Sequence, residues 1–281
     1  MSDSKAVSSI QQVIIAEPAA LDIARVQQGL AGGRFGKSIH YFNEIGSTNS
    51  HARELAEAGA AEGTVVVAES QSQGRGRLGR RWESPPYTNL YLSILLRPKL
   101  NPAHAAQITL MAAVALADVV DGYVPGQTAI KWPNDILIGK KKLAGILTEA
   151  SCDTERVHHV ILGVGVNLNY ASGAMPEELR RRATSLLEVT GKPVERESFL
   201  QRLLQGMDRC YGELERAGFD ALAPRWQNYF AWRGRRLRVE LLDQVTLGTA
   251  KGIDRDGALV LIDDHGIEQR VLAGDVIPLE N

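Results

Sequence analysis

Cysteine is nearly missing from this sequence: its 281 residues include only Cys152 and Cys210. Two thiols cannot form a disulfide framework, and neither has a C-x-x-C partner, which excludes a stapled secreted scaffold and a zinc-ribbon or dithiol redox module. The six histidines, at 40, 51, 104, 158, 159 and 265, have no metal-ligand spacing. No Ser-His-Asp or Cys-His set assembles, so chemistry must rest on positioning and electrostatics. Charge of one sign is also missing. The formal net charge is −1, so the molecule as a whole is no polyanion binder and any basic function is local. No apolar run approaches the ~20 residues that span a bilayer. The opening MSDSKAVSSI has no basic segment followed by an apolar one, so no signal peptide is read. A cytoplasmic protein is expected. What is present, 44% hydrophobic and 23% charged residues without repeat or coiled coil, suits one large domain plus a small one.

Along the chain, Pro18 is placed to start a short helix carrying Ile23, Val26 and Leu30, stopped by Gly32 and Gly33. Residues 39–42 read as a strand. The turn through Gly46, Ser47, Thr48 and Asn49 leads into a helix with Ala52, Leu55 and Ala56 on one face, ending at Gly59. Strands are expected at 64–68, 90–96, 129–132, 136–138, 143–148 and 160–166. Pro102 opens a helix through Asp121 that is apolar on nearly every side, as for a helix buried between layers. Helices are expected at 177–188, 196–217 and 221–231. From Arg235 onward, short strands and Asp/Gly turns suggest a small β-barrel. The class is α+β, a mixed or antiparallel sheet with helices on one side.

Three clusters stand out. The first is Gly74-Arg75-Gly76-Arg77-Leu78-Gly79-Arg80-Arg81-Trp82. Gly74 to Gly79 formally fit a dinucleotide-binding turn, but that turn needs a helix directly afterwards, and Pro85-Pro86 forbid one. What remains is either a solvated basic loop or an anion clamp, in which arginine forks meet carboxylate or phosphate and glycines let backbone approach. RNA binding would require aromatics across a wider basic surface. The second is Lys131-Trp132-Pro133-Asn134-Asp135, followed by Lys142-Leu143-Ala144-Gly145-Ile146-Leu147. Lys142 precedes a buried strand and suits a point cation for phosphate charge. Asn134 and Asp135 either cap the turn or orient Lys131 and a metal. The third is Gly163-Val164-Gly165-Val166-Asn167, where glycines within a strand mark close approach by a ligand or by packed backbone.

Together with Gly46-Ser47-Thr48-Asn49, in this order and spacing, the clusters resemble biotin–protein ligase (biotin–[acetyl-CoA-carboxylase] ligase), strongly over residues 39–170. The resemblance implies a class II synthetase/biotin ligase-like sheet at 39–232, an SH3-like barrel at 233–281 and an N-terminal tail at 1–38 with one short helix. It implies ATP-dependent activation of biotin to biotinyl-5′-AMP, then transfer to a lysine of a biotin carboxyl carrier protein domain. Arg77 and Lys142 would be the catalytic residues. Ser47, Thr48, Asn49, Gln71, Arg75, Gly76, Arg77 and Lys142 would bind biotin. Arg75, Arg77, Arg80, Trp82, Lys131, Asn134 and Asn167 would bind ATP. Asp135 would orient Mg²⁺ or assist the acceptor lysine, with Mg²⁺ held mainly by the ATP phosphates. A loop that orders on ligand would keep water from the adenylate. The tail before Ile39 has room for about one helix, so the ligase-only type is expected, with no DNA partner, as monomer or homodimer. A lipoate or octanoyl transferase, or a biotin-sensing repressor, is the alternative.

Overall fold

The computed structural model describes residues 19–30 and 32–279. Pro18 and the opening segment read for a signal peptide lie outside the described residues. The short helix of the tail is present as α1 (Ile23–Gln28).

The larger layer is a seven-stranded mixed sheet. In chain order its strands are β1 (Ile39–Ile45), β2 (Val65–Gln71), β3 (Leu90–Leu96), β4 (Thr128–Lys131), β5 (Asp135–Ile138), β6 (Lys141–Cys152) and β7 (Val157–Val166). Their spatial order is β1-β2-β3-β7-β6-β5-β4, parallel only between β1 and β2. β3 sits inside the sheet and is buried at all seven positions, which is why it reads as an unbroken apolar run.

Both faces of the sheet are covered. On one, Val65, Val67, Leu92, Ile94, Val160 and Leu162 meet α3 (Ala106–Asp121), α6 (Arg196–Ala217) and α7 (Ala223–Tyr229) in the main core. On the other, Val66, Leu95 and Ile161 meet Ala52 and Ala56 of α2 (Thr48–Glu57). The alternation follows from the two-residue period of a strand. Contrary to the expectation from run length, Pro102–Asp121 does reach 20 residues at a mean hydropathy of 1.6, enough to cross a membrane by length and composition. Its apolarity is accounted for by burial in this core.

One expected helix is broken. Residues 177–188 fold as α4 (Glu177–Arg182) and α5 (Leu186–Thr190), because Ala183 is extended and bridges Lys142. Thr184 N donates to Lys142 O at 2.9 Å, and Ser185 caps α5 by accepting from Glu188 N. Backbone pairing with β6 here outcompetes local helix propensity.

The C-terminal module has β8 (Arg236–Leu241), β9 (Gln244–Ile253), β10 (Leu259–Ile262), β11 (Glu268–Val271) and β12 (Asp275–Pro278). They form an antiparallel sheet in the order β11-β10-β9-β8-β12. The expected SH3-like module is there as an open sheet, not a closed barrel: β11 and β12 are its two edges. A bulge at Val260/Leu261 bends it. The module is fastened to the larger layer by Trp132 Nε1, which donates to Gly257 O at 3.1 Å, and by Gln107 Nε2, which donates to Arg255 O at 2.9 Å.

One buried ion pair joins three parts of the larger layer. Arg196, in the first turn of α6, makes a two-pronged contact with fully buried Glu69 on β2, at 2.6 and 3.1 Å. The same guanidinium donates to Asn89 O and Ala19 O. Glu69 Oε1 also accepts from Leu21 N at 2.7 Å and Tyr41 OH at 2.9 Å. Burial, with Glu69 nearby, holds the Tyr41 phenol above its ordinary range. Removing one partner strands a charge among satisfied neighbours, so Glu69→Ala is expected to cost about 3–5 kcal/mol. Urea unfolding measures this, and a loss below about 1 kcal/mol would show that the pair is not a structural tie.

Candidate active site

A cleft with about 470 Å³ of empty space opens on the α2 face of the sheet. Its floor follows from strand register. Gly145 on β6 pairs Gly165 on β7, and Gly163 lies between Leu147 and Ser93. These glycines share the face carrying Ile161 and Leu95, so where α2 stops covering the sheet the surface drops to bare backbone. A Cβ on Gly165 would lie 2.6 Å from the Trp82 ring, and one on Gly163 would lie 2.1 Å from Asn49 Oδ1. The third cluster therefore has glycine because two side chains lie flat on it.

One end of the cleft is a polar network. Ser47 is the N-cap of α2, but its side chain makes no capping bond. Gln71 Oε1 accepts from Thr48 N at 2.9 Å and from Thr48 Oγ1 at 3.2 Å. Buried Ser93 Oγ donates to Asn49 Oδ1 at 2.6 Å and lies 2.8 Å from Thr48 Oγ1. Asn49 Nδ2 donates to Glu149 Oε2 at 2.7 Å and to Leu147 O at 3.3 Å. The Asn49 carboxamide is thus bonded at both ends.

The glycine–arginine loop covers the cleft. Gly76 N donates to Arg80 O at 2.7 Å and Trp82 N to Gly74 O at 2.9 Å, closing the loop on itself. Gly74 is required because a Cβ there would meet Trp82 O at 2.5 Å. Leu78, at the exposed tip, has φ +55°, an uncommon conformation for a non-glycine residue. Arg77 Nη1 donates to Asn134 Oδ1 at 3.0 Å, and Asn134 Nδ2 donates to Ile146 O at 2.9 Å.

The other end is cationic. Lys142 Nζ stands 2.7 Å from Asp135 Oδ1, an ion pair without hydrogen-bond alignment, and 5.2 Å from the Trp82 ring centroid. Lys131 Nζ lies 5.6 Å from the Trp232 ring. Burial pushes the Lys131 pKa down, against the pull of Asp135, with Lys142, Arg80 and Arg77 adding to the fall. Burial also lowers the Arg77 pKa. Three cations therefore gather around one carboxylate, which favours an incoming anion.

Of the fourteen residues to which the resemblance gives a role in the site, ten line this cleft: Ser47, Thr48, Asn49, Gln71, Arg75, Gly76, Arg77, Trp82, Asn134 and Lys142. Four are not among its lining residues. Lys131 and Asp135 stand behind Lys142. Arg80 turns outward to pair with Asp275 on β12. Asn167 is buried, with Nδ2 donating to Thr184 O at 3.0 Å and its backbone N donating to Leu143 O. Among the described residues no three His, Cys, Asp or Glu side chains cluster as metal ligands. Sequence reasoning missed Leu92 in the lining, and Ser93 and Glu149 beneath it. Counting alternate positions onward from Gly145 would have reached Glu149, but β6 runs to Cys152, past the strand end expected at 148.

Residues 41–167 match the biotin/lipoate A/B protein ligase family, and residues 234–277 match the biotin protein ligase C-terminal domain. The chain is 37% identical to the bifunctional ligase/repressor BirA of Bacillus spizizenii over 94% of its own length and 81% of that protein. It is also 35% identical to the biotin–[acetyl-CoA-carboxylase] ligase of Mycobacterium tuberculosis, over 92% of its length and 96% of that protein. The chain belongs to the biotin protein ligase family. Among solved structures in this family, the Aquifex aeolicus biotin protein ligase in complex with biotin and ATP superposes with a TM-score of 0.74 at 28% identity. The alignment covers 87% of this chain and all of that one.

Substituting the glycine floor tests the geometry. Gly163→Ala forces a methyl group into a carboxamide that is held at both ends, and is expected to cost about 1–3 kcal/mol. Gly173→Ala, where no atom lies within 4 Å, should leave urea stability unchanged. Equal midpoints for the two variants would refute the packed floor.

Proposed function

We propose that this chain activates biotin with ATP to biotinyl-5′-AMP and then transfers the biotinyl group to one lysine of a biotin carboxyl carrier protein domain. The observation that carries this reading is the pairing of a bare glycine floor and polar pocket with Arg77 and Lys142, in a chain of this family. Residues 39–232 would perform the reaction, and 233–281 would support it through the Trp132 contact.

The residue roles follow from the chemistry. Ser47, Thr48 and Gln71 read the polar ring of biotin, and Asn49, tied beneath them, holds their frame. The biotin chain lies over Gly145, Gly163 and Gly165. Its carboxylate must approach a polyphosphate, a repulsion of about 4 kcal/mol for two unit charges 4 Å apart at an effective dielectric of 20. Arg75, Gly76, Arg77 and Lys142 offset it with guanidinium, backbone N–H and ammonium donors. A carboxylate oxygen attacks the α-phosphorus, and the bond to pyrophosphate breaks. Arg80, Trp82, Lys131, Asn134 and Asn167 form the nucleotide side, Lys131 and Asn167 from behind the lining. The acceptor's neutral amine then attacks the acyl carbon, an amide forms, and AMP leaves with the electron pair of the broken C–O bond. Asp135, behind the lining, orients Lys142 and would assist the acceptor amine, whose proton passes to water. Mg²⁺ would arrive on the ATP phosphates and neutralise the departing pyrophosphate. A single carboxylate, Asp135, at the cationic end of the site fits a metal carried by phosphate better than a protein cage. The reaction is placed in the cytoplasm.

The test is mass spectrometry of a carrier domain after incubation with this protein, biotin and Mg-ATP. One biotinyl group on one lysine is expected, with a fall of at least about 100-fold in rate for Arg77→Ala, the scale of losing a charged transition-state donor. No mass gain with the wild type, or an undiminished gain with the variant, would overturn the reading or its assignment of Arg77. Pyrophosphate exchange into ATP that depends on lipoate instead of biotin would move the chain to the other branch of its family.

A further inference from the structure

We propose that Glu149 is a positioning residue for this ligation, anchoring the glycine–arginine loop over the cleft through Arg75. The proposal rests on the ligase reading given above. Glu149 stands two alternation steps from Gly145 on β6, so its side chain rises on the same face as the cleft floor. Its carboxylate gathers donors from two other elements. Asn49 Nδ2 at 2.7 Å and Arg53 Nη2 at 3.0 Å come from α2, and Arg75 Nη2 at 3.5 Å comes from the loop. Arg75 Nη2 also donates to Ser50 Oγ at 3.0 Å. One carboxylate thus ties β6, α2 and the loop together at the polar end of the cleft.

Besides Trp82 lying on the glycine floor, the loop has two other polar side-chain fastenings among the described residues, Arg77 to Asn134 and Arg80 to Asp275. In the proposed reaction Arg77 is drawn to the substrate anions and Arg80 to the nucleotide, so both contacts are exchanged during turnover. In the proposed reaction Arg75 meets the anions through its backbone N–H, so its side chain can keep its hold on Ser50 and Glu149. The Glu149 side chain is 30% exposed, and ion pairs at that exposure contribute little to folding. Its weight therefore falls on the loop, which must keep ligand in and water out of the adenylate.

Glu149→Gln keeps an oxygen for Asn49 Nδ2 and removes the charge that holds Arg75. The variant is expected to raise the KM for biotin about three- to fivefold in pyrophosphate exchange, the upper scale of one partly exposed ion pair, with kcat within about twofold. Trypsin should cut after Arg75, Arg77 and Arg80 faster than in the wild type, with and without biotin and Mg-ATP, at an unchanged melting temperature. Arg53→Ala, which touches Glu149 but not the loop, should leave the biotin KM unchanged. In a double-mutant cycle, adding Glu149→Gln to Arg75→Ala should give no further loss. An unchanged KM and unchanged cleavage in Glu149→Gln, or losses that multiply in the cycle, would overturn the proposal. Wild-type protein without biotin-dependent exchange would instead refute the ligase reading, and cleavage of the unliganded loop would still report on the anchor.

Discussion

Two adjacent strands, β6 and β7, pair along their length while presenting no side chain at Gly145, Gly163 and Gly165. The site depends on that bare stretch. It is what lets Trp82 lie flat, lets Asn49 reach across to Leu147 O and Glu149, and leaves a cleft where a sheet would otherwise carry a layer of side chains. The rest of the fold holds this surface still. The main core packs the opposite face, and α2 covers the same face only as far as Val66, Leu95 and Ile161. The ion pair of Glu69 with Arg196 sits two residues from Gln71, so the strand that delivers Gln71 is fixed at its buried end. Paired backbone below and the glycine–arginine loop above enclose the cleft.

Electrostatics then sets what the container accepts. Arg77, Lys131 and Lys142 surround Asp135, and burial weakens the proton hold of Lys131 and Arg77. An arrangement of this kind is costly while empty and is relieved by anions, which makes binding and neutralisation one event. The cations come from three different segments, the loop, the end of β4 and the start of β6. No single segment carries the excess charge, in keeping with the near-neutral whole.

Much of this was legible beforehand. The apolar run of β3 marks an interior strand, and the continuous apolarity of α3 marks a helix without a solvent face. Turn-forming Pro133-Asn134 falls between β4 and β5, and the residues at 47–49 fall at the start of α2, though Ser47 makes no capping bond there. The site was legible wherever an unusual residue type stood in a local pattern, as with the glycines and arginines of 74–82. It was not legible where the role depends on a partner far along the chain. Glu149 looks like an ordinary strand-end acid until Asn49, about a hundred residues away, is laid beside it. The break at Ala183 depends on Lys142, and the outward turn of Arg80 on Asp275. Asn167 stood in a suggestive motif, and its carboxamide is bonded to Thr184 O, a contact no local pattern encodes.

The bond from Trp132 Nε1 to Gly257 O bears on how the chain can be divided. Family matching sees two separable blocks, 41–167 and 234–277. Physically they share a seam: the indole belongs to the same five-residue turn as Lys131, Asn134 and Asp135, and its acceptor is a carbonyl of the other block. Cutting before β8 would expose a large buried ring and leave its N–H without a partner, in the turn flanked by Lys131 and Asp135. The smaller block is therefore part of the wall of the larger one, and exchanging it between relatives would mean re-fitting that turn.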